Sequence, residues 1–108
     1  RNMVYPIAAR RLVEGPDPLV APEQLARHTV LLHREMIDTF VAWRHAAGLT
    51  AIEPAAIDYF DSGALMLEAA AQGLGVAFMH ESHFHDANDS RLPVRLFRDW
   101  LIRTLRED

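Results

Sequence analysis

The sequence predicts an α/β domain in which a mostly parallel sheet is flanked by helices. Apolar runs and helical periodicities alternate strand, helix, strand, helix, strand between Thr29 and Met79. Glycines stand where the two intervening helices should stop, at Gly48 and Gly73. Half of the 108 residues are apolar, enough to fill one small packed core.

Each element has a local reason. Val4 to Ala9 is an apolar stretch that reads as a strand running into a short helix, and Gly15-Pro16-Asp17-Pro18 after it reads as a loop. Pro22 suits a first helical position with Glu23 in the first turn, so one or two helical turns precede Thr29. Thr29 to Leu32 reads as a buried strand. From Glu35 to Ala47 the residues Met36, Ile37, Phe40, Trp43 and Ala47 recur at three- and four-residue spacing, which predicts a helix capped by Gly48. Ala56 to Phe60 reads as a strand. Asp61-Ser62 offers an N-cap for a helix to Gln72, Gly73-Leu74-Gly75 ends it, and Val76 to Met79 is the next buried strand. After the polar break at Asp86 to Ser90, Val94, Phe97, Trp100, Leu101 and Leu105 predict an amphipathic helix over 93–108.

Composition narrows the function. Eleven basic residues, all Arg, against fifteen acidic ones give a net charge of −4, so the chain alone lacks the positive field that binds DNA. The absence of cysteine excludes disulfides, thiolate metal sites and cysteine nucleophiles, and fits a cytoplasmic protein. No apolar run approaches the ~18 residues of a membrane span, so no membrane association is expected. No signal-peptide pattern is present, and the chain opens at Arg1, as a piece of a longer protein would.

Several constellations invite a chemical reading. His80-Glu81-Ser82-His83-Phe84-His85-Asp86 holds three imidazoles, but its first two histidines are three apart, whereas a zinc-binding helix places them four apart; no metal site is predicted. Gly73-Leu74-Gly75 follows a helix and precedes a strand, the reverse of a dinucleotide fingerprint, so no nucleotide cofactor is expected. No Gly-x-Ser-x-Gly elbow occurs and Ser62 has no legible base, so the chain is not expected to be an enzyme; a small α/β hydrolase fragment is a distant third reading.

Asp61-Ser62-Gly63 is more informative, because a helix starting directly after a strand aims unpaired N–H groups at the carboxyl edge of the sheet. His33 and Arg34 follow another strand and fall at the same edge, where the set makes a carboxylate-sized polar pocket. The plainer alternative is that Ser62 only caps its helix and Arg34 is only solvated. The helix from Ser62 to Gln72 is apolar almost all round, with only Glu68 and Gln72 clearly polar, so a second subunit or another part of the protein should cover it.

The ordered series Pro18-Leu19, Pro22 through His33 with Leu25, Ala26, His28, Leu31 and Leu32, then Phe40 to Trp43, Ala47 to Leu49, and Phe60 through Phe78 resembles the LysR-type transcriptional regulators. It is most similar to the glycine-cleavage-activator-like group. The resemblance covers residues 18–79 and points to the second subdomain of the effector-binding domain, with 1–92 as that subdomain and 93–108 as its C-terminal helix. It implies a type 2 periplasmic-binding-protein-like fold, with a small, anionic or amino-acid-like effector in a cleft between two subdomains. The effector shifts a dimer or tetramer bound to promoter DNA through a winged helix-turn-helix that this chain lacks. By position, His33, Arg34, Asp61, Ser62 and Gly63 face the cleft, and Leu65, Leu67, Ala70, Val76 and Phe78 lie at a dimer interface. The alternative is a solute-binding protein of the same fold serving a transporter.

Overall fold

A computed structural model describes residues 4–80 and 94–96. Its elements run β1 (Val4–Ala9), α1 (Arg10–Glu14), a 3-10 helix (Pro22–Arg27), β2 (Thr29–His33), α2 (Asp38–Ala46), β3 (Ala56–Phe60), α3 (Gly63–Ala71), β4 (Val76–His80) and β5 (Val94–Leu96). The strands form one sheet in the order β3-β2-β4-β1-β5. β2 pairs parallel with both β3 and β4, while β1 runs antiparallel to β4 and to β5, so the sheet is mixed, with two parallel and two antiparallel pairings, where a mostly parallel one was expected; the departure comes from β1, which enters the sheet between β4 and β5 in the opposite direction.

Both faces of the central strands are covered, which is why β2 reads as continuous apolar sequence rather than as an alternation. Val30 and Leu32 point to one face with Val76 and Phe78, under Leu19, Leu25, Phe40 and Trp43. Leu31 and Ala77 point to the other with Ile7 and Met79, under Met66, Leu67, Ala69 and Ala70 of α3. On the first face three rings meet: Phe78 lies 5.0 Å from Phe40 and 4.9 Å from Trp43, both tilted, a favourable aromatic geometry.

The helix ends follow backbone hydrogen-bond demand. Gly48 (φ 71°) and Gly73 (φ 80°) take the left-handed conformation that ends a helix at least cost. At the first, Leu49 N donates to Arg44 O (2.9 Å) and Gly48 N to His45 O (3.1 Å). At the second, Leu74 N donates to Ala69 O (3.1 Å) and Gly73 N to Ala70 O (2.9 Å). Both are Schellman motifs. Arg11 adds a donor to the Gln72 carbonyl at the same end of α3, tying α1 to it. At the start of the 3-10 helix, Gln24 Oε1 accepts from Val20 N (2.7 Å) and Ala21 N (2.8 Å).

Two further expectations are corrected. α2 begins at Asp38 rather than Glu35, because the chain leaving β2 first makes a turn in which Met36 N donates to His33 O (2.9 Å). Met36 O then accepts from Thr39 N (3.1 Å) and Thr39 Oγ1 (2.7 Å), which opens the helix. At the C-terminal end, Val94–Leu96 is a strand and not the start of a helix. Its three residues pair with Ile7, Ala8 and Ala9, supplying the free edge of β1 with partners that a helix would not. The rest of the expected helix lies outside the described residues.

Candidate functional site

The parallel register of β2 and β3 places His33 opposite Phe60, so both chains leave the sheet at the same carboxyl edge. Arg34 N donates to Phe60 O (2.7 Å), which extends the ladder one residue past the strands. The guanidinium of Arg34 then reaches Asp61 on the neighbouring chain, with Nε 2.7 Å from Oδ1. Both side chains are solvent-exposed, at 60% and 80%. His33 is half-buried, and its Nδ1 accepts from Glu35 N (3.1 Å). Ser62 caps α3, its Oγ accepting from Leu65 N (3.3 Å), and Gly63 opens the helix. The first N–H groups of that helix have no intrahelical acceptor.

The five residues singled out from sequence, His33, Arg34, Asp61, Ser62 and Gly63, thus stand at one edge, carried by two strand ends and a helix start. The Arg34–Asp61 ion pair went unforeseen, since its partners are 27 residues apart and only the parallel register brings them together. The edge combines a cation, an anion, an imidazole and the backbone donors of a helix start. It offers binding groups for a small polar molecule and no nucleophile–base pair among the described residues.

The second set divides differently. Leu67, Ala70, Val76 and Phe78 are 5%, 0%, 0% and 1% exposed, packed between α3, the sheet and α2 within this chain, so they present no surface to a partner. Their apolarity reflects burial against the chain's own sheet. Leu65 alone of that set is on the surface, at 62%, beside the exposed Ala64 and Glu68. Sequence reasoning missed the exposure of Ile57 and Tyr59 on edge strand β3, of Ile37 just before α2, and of Val41 on the outer side of α2. An apolar residue on an edge strand reads like one on an inner strand until the strand order is known. Among the described residues no group of histidines and carboxylates is placed to hold a metal, and the expected non-site at Glu81 to Asp86 lies outside them. No described helix is long and apolar enough to cross a membrane.

The family model for the LysR substrate binding domain matches residues 3–106, nearly the whole chain. The chain belongs to the LysR substrate-binding domain family. Its fold is accordingly the type 2 periplasmic-binding-protein-like one, present in part. The glycine cleavage system transcriptional activator of Escherichia coli K12 is 36% identical over 99 residues, which is 92% of this chain and 32% of the relative. The effector domain of the transcriptional regulator AmpR of Pseudomonas aeruginosa superposes with a TM-score of 0.68 at 31% identity, over 85% of this chain and 43% of that one. The AmpR effector-binding domain of Citrobacter freundii gives 0.67 at 20% identity, over 88% of this chain and 48% of that one, and supports the fold. The chain therefore spans about a third of the curated relatives and under half of the solved LysR effector domains.

Proposed function

We propose that this chain is the part of a LysR-type transcriptional regulator that holds a small-molecule effector at the β2–β3 edge and transmits its presence through a homo-oligomer. The observation that carries the reading is the convergence of His33, Arg34, Asp61, Ser62 and Gly63 at the carboxyl ends of parallel strands, where open α/β sheets bind their ligands. The chain supplies one wall of the cleft. Effector binding biases the arrangement of subunits, so the activity is a shift of population and not turnover. Promoter DNA is read by a separate domain, in keeping with the net charge of −4 here, and the site of action is the cytoplasm. The names of the relatives, an activator and a regulator, support this reading over a transporter's solute-binding protein.

A thermal-shift screen of small carboxylates and amino acids, followed by calorimetry, tests it. A ligand that raises the melting temperature should lose about 1 kcal/mol or more of affinity in Ser62→Ala and in Arg34→Ala. Unchanged affinity in both variants rejects this edge as the site. For the oligomer, the surface to test is the exposed strip of α3 around Leu65. A charge there, Leu65→Asp, should shift sedimentation toward monomer, and an unchanged assembly rejects the strip as a contact.

A further inference from the structure

β3 is held differently from β2 and β4. Its residues Ala56 to Tyr59 are all exposed, so the strand buries little surface of its own, and it pairs on one side only. Two backbone bonds bracket its ladder with β2. Ala55 N donates to His28 O (3.0 Å) just before the first paired residues, and Arg34 N donates to Phe60 O (2.7 Å) just after the last. A strand so lightly covered opens at low cost unless the chain leading into it is anchored.

The anchor is Arg44. From the last turn of α2 its guanidinium lies 5.1 Å from the centre of the Phe40 ring, which is buried and packed against Phe78. Its Nη1 donates to Ile52 O (2.8 Å) and to Glu53 Oε1 (3.1 Å), so one side chain ties the connection between α2 and β3 to the aromatic centre of the core. Leu49 N donates to Arg44 O (2.9 Å) and Ile52 N to Leu49 O (3.0 Å), and the side chains of Leu49 and Ile52 pack against the same core. Arg44 is only 20% exposed while Glu53 is 78% exposed, so the bond to the Ile52 carbonyl holds the connection more firmly than the solvent-screened ion pair. Only Glu53, Pro54 and Ala55 separate Ile52 from β3, and the fixed φ of the proline leaves them little slack.

We propose that residues 49–55 form a strap latched by Arg44, and that releasing the latch lets β3 part from β2 while β2, β4 and β1 stay packed. Arg44 is a positioning residue: through the strap it keeps Asp61 within reach of Arg34, a role that holds whether or not the edge binds a ligand.

Amide hydrogen exchange of the full chain, compared with Arg44→Met, tests this; the variant keeps an apolar stem over Phe40 and removes the donors. Exchange at Ala55 and Arg34, the two bracketing amides, should rise by about tenfold or more, while Leu19, bonded to Leu12 O, and Leu74, bonded to Ala69 O, stay within about twofold. Arg44→Lys keeps a cation and a donor, so it should show the same selective pattern at smaller amplitude, readable even if Arg44→Met fails to fold. Glu53→Gln leaves the Ile52 bond intact and should change the bracketing amides by less than about threefold. A rise shared equally by all four amides would mean that Arg44 only stabilises the whole fold, and a rise at Ala55 alone would mean that the strap does not control the strand. Either result overturns the proposal, as does exchange unchanged in both Arg44 variants.

Discussion

β2 and β3 are paired residue for residue, yet their side chains have opposite fates. Val30 and Leu32 are 0% and 1% exposed, while their register partners Ile57 and Tyr59 are 36% and 44% exposed. Composition does not separate them; strand order does, since β2 lies between two strands with helices on both faces and β3 is the edge. Stability is therefore concentrated in β2 and β4, and the proposed effector edge lies where the well-packed strand meets the loosely covered one. Such a junction can hold one half of a ligand site rigidly while leaving the other free to adjust.

Phe78→Ala probes the difference between the two strands most directly. Removing the ring shared with Phe40 and Trp43 should cost about 3–5 kcal/mol, whereas Tyr59→Ala on the edge strand should cost well under half of that. Urea unfolding of the two variants measures the difference, and equal losses would mean that the edge is as well packed as the centre. A smaller effect is expected at the end of α3. Gly73→Ala forces a side chain into φ 80° and should cost about 1–2 kcal/mol by the same measurement, without changing effector binding at the opposite end of that helix.

The smallest effect is electrostatic and lies at the amino-end of β2. Burial, then the nearby Arg27 cation, hold the His28 pKa below its usual value of 6.5, partly opposed by Asp17. The folded chain therefore takes up a proton less readily than the unfolded one. His28 contributes its full share of stability above pH 6.5, and loses it as the pH falls below that value toward the folded pKa. Melting temperatures of the parent and of His28→Gln between pH 7.5 and 5.5 should show the slightly steeper decline in the parent.

Much of this was legible in the sequence because it is set locally. The glycine stops of α2 and α3, the Ser62 cap and the apolar runs of β2 and β4 follow from backbone hydrogen bonding and chain periodicity, so they were readable without a partner. What was not legible depends on neighbours distant in sequence. Val94–Leu96 fits a helical stripe until β1 is known to need an edge partner. Leu67 and Ala70 fit an interface until α3 is known to lie against its own sheet. Of the candidate site, the residue set was legible from strand ends and a cap, while the ion pair that gives it its charge character was not, because it is made by register alone.

We propose that ligand binds at the β2–β3 edge. Amide chemical shifts recorded while titrating the strongest ligand from the thermal-shift screen test it most directly. The largest shifts should fall on His33 to Glu35 and Asp61 to Leu65. Shifts centred instead on the outer side of α2, at Val41 to His45, with the strand ends unmoved, would contradict it.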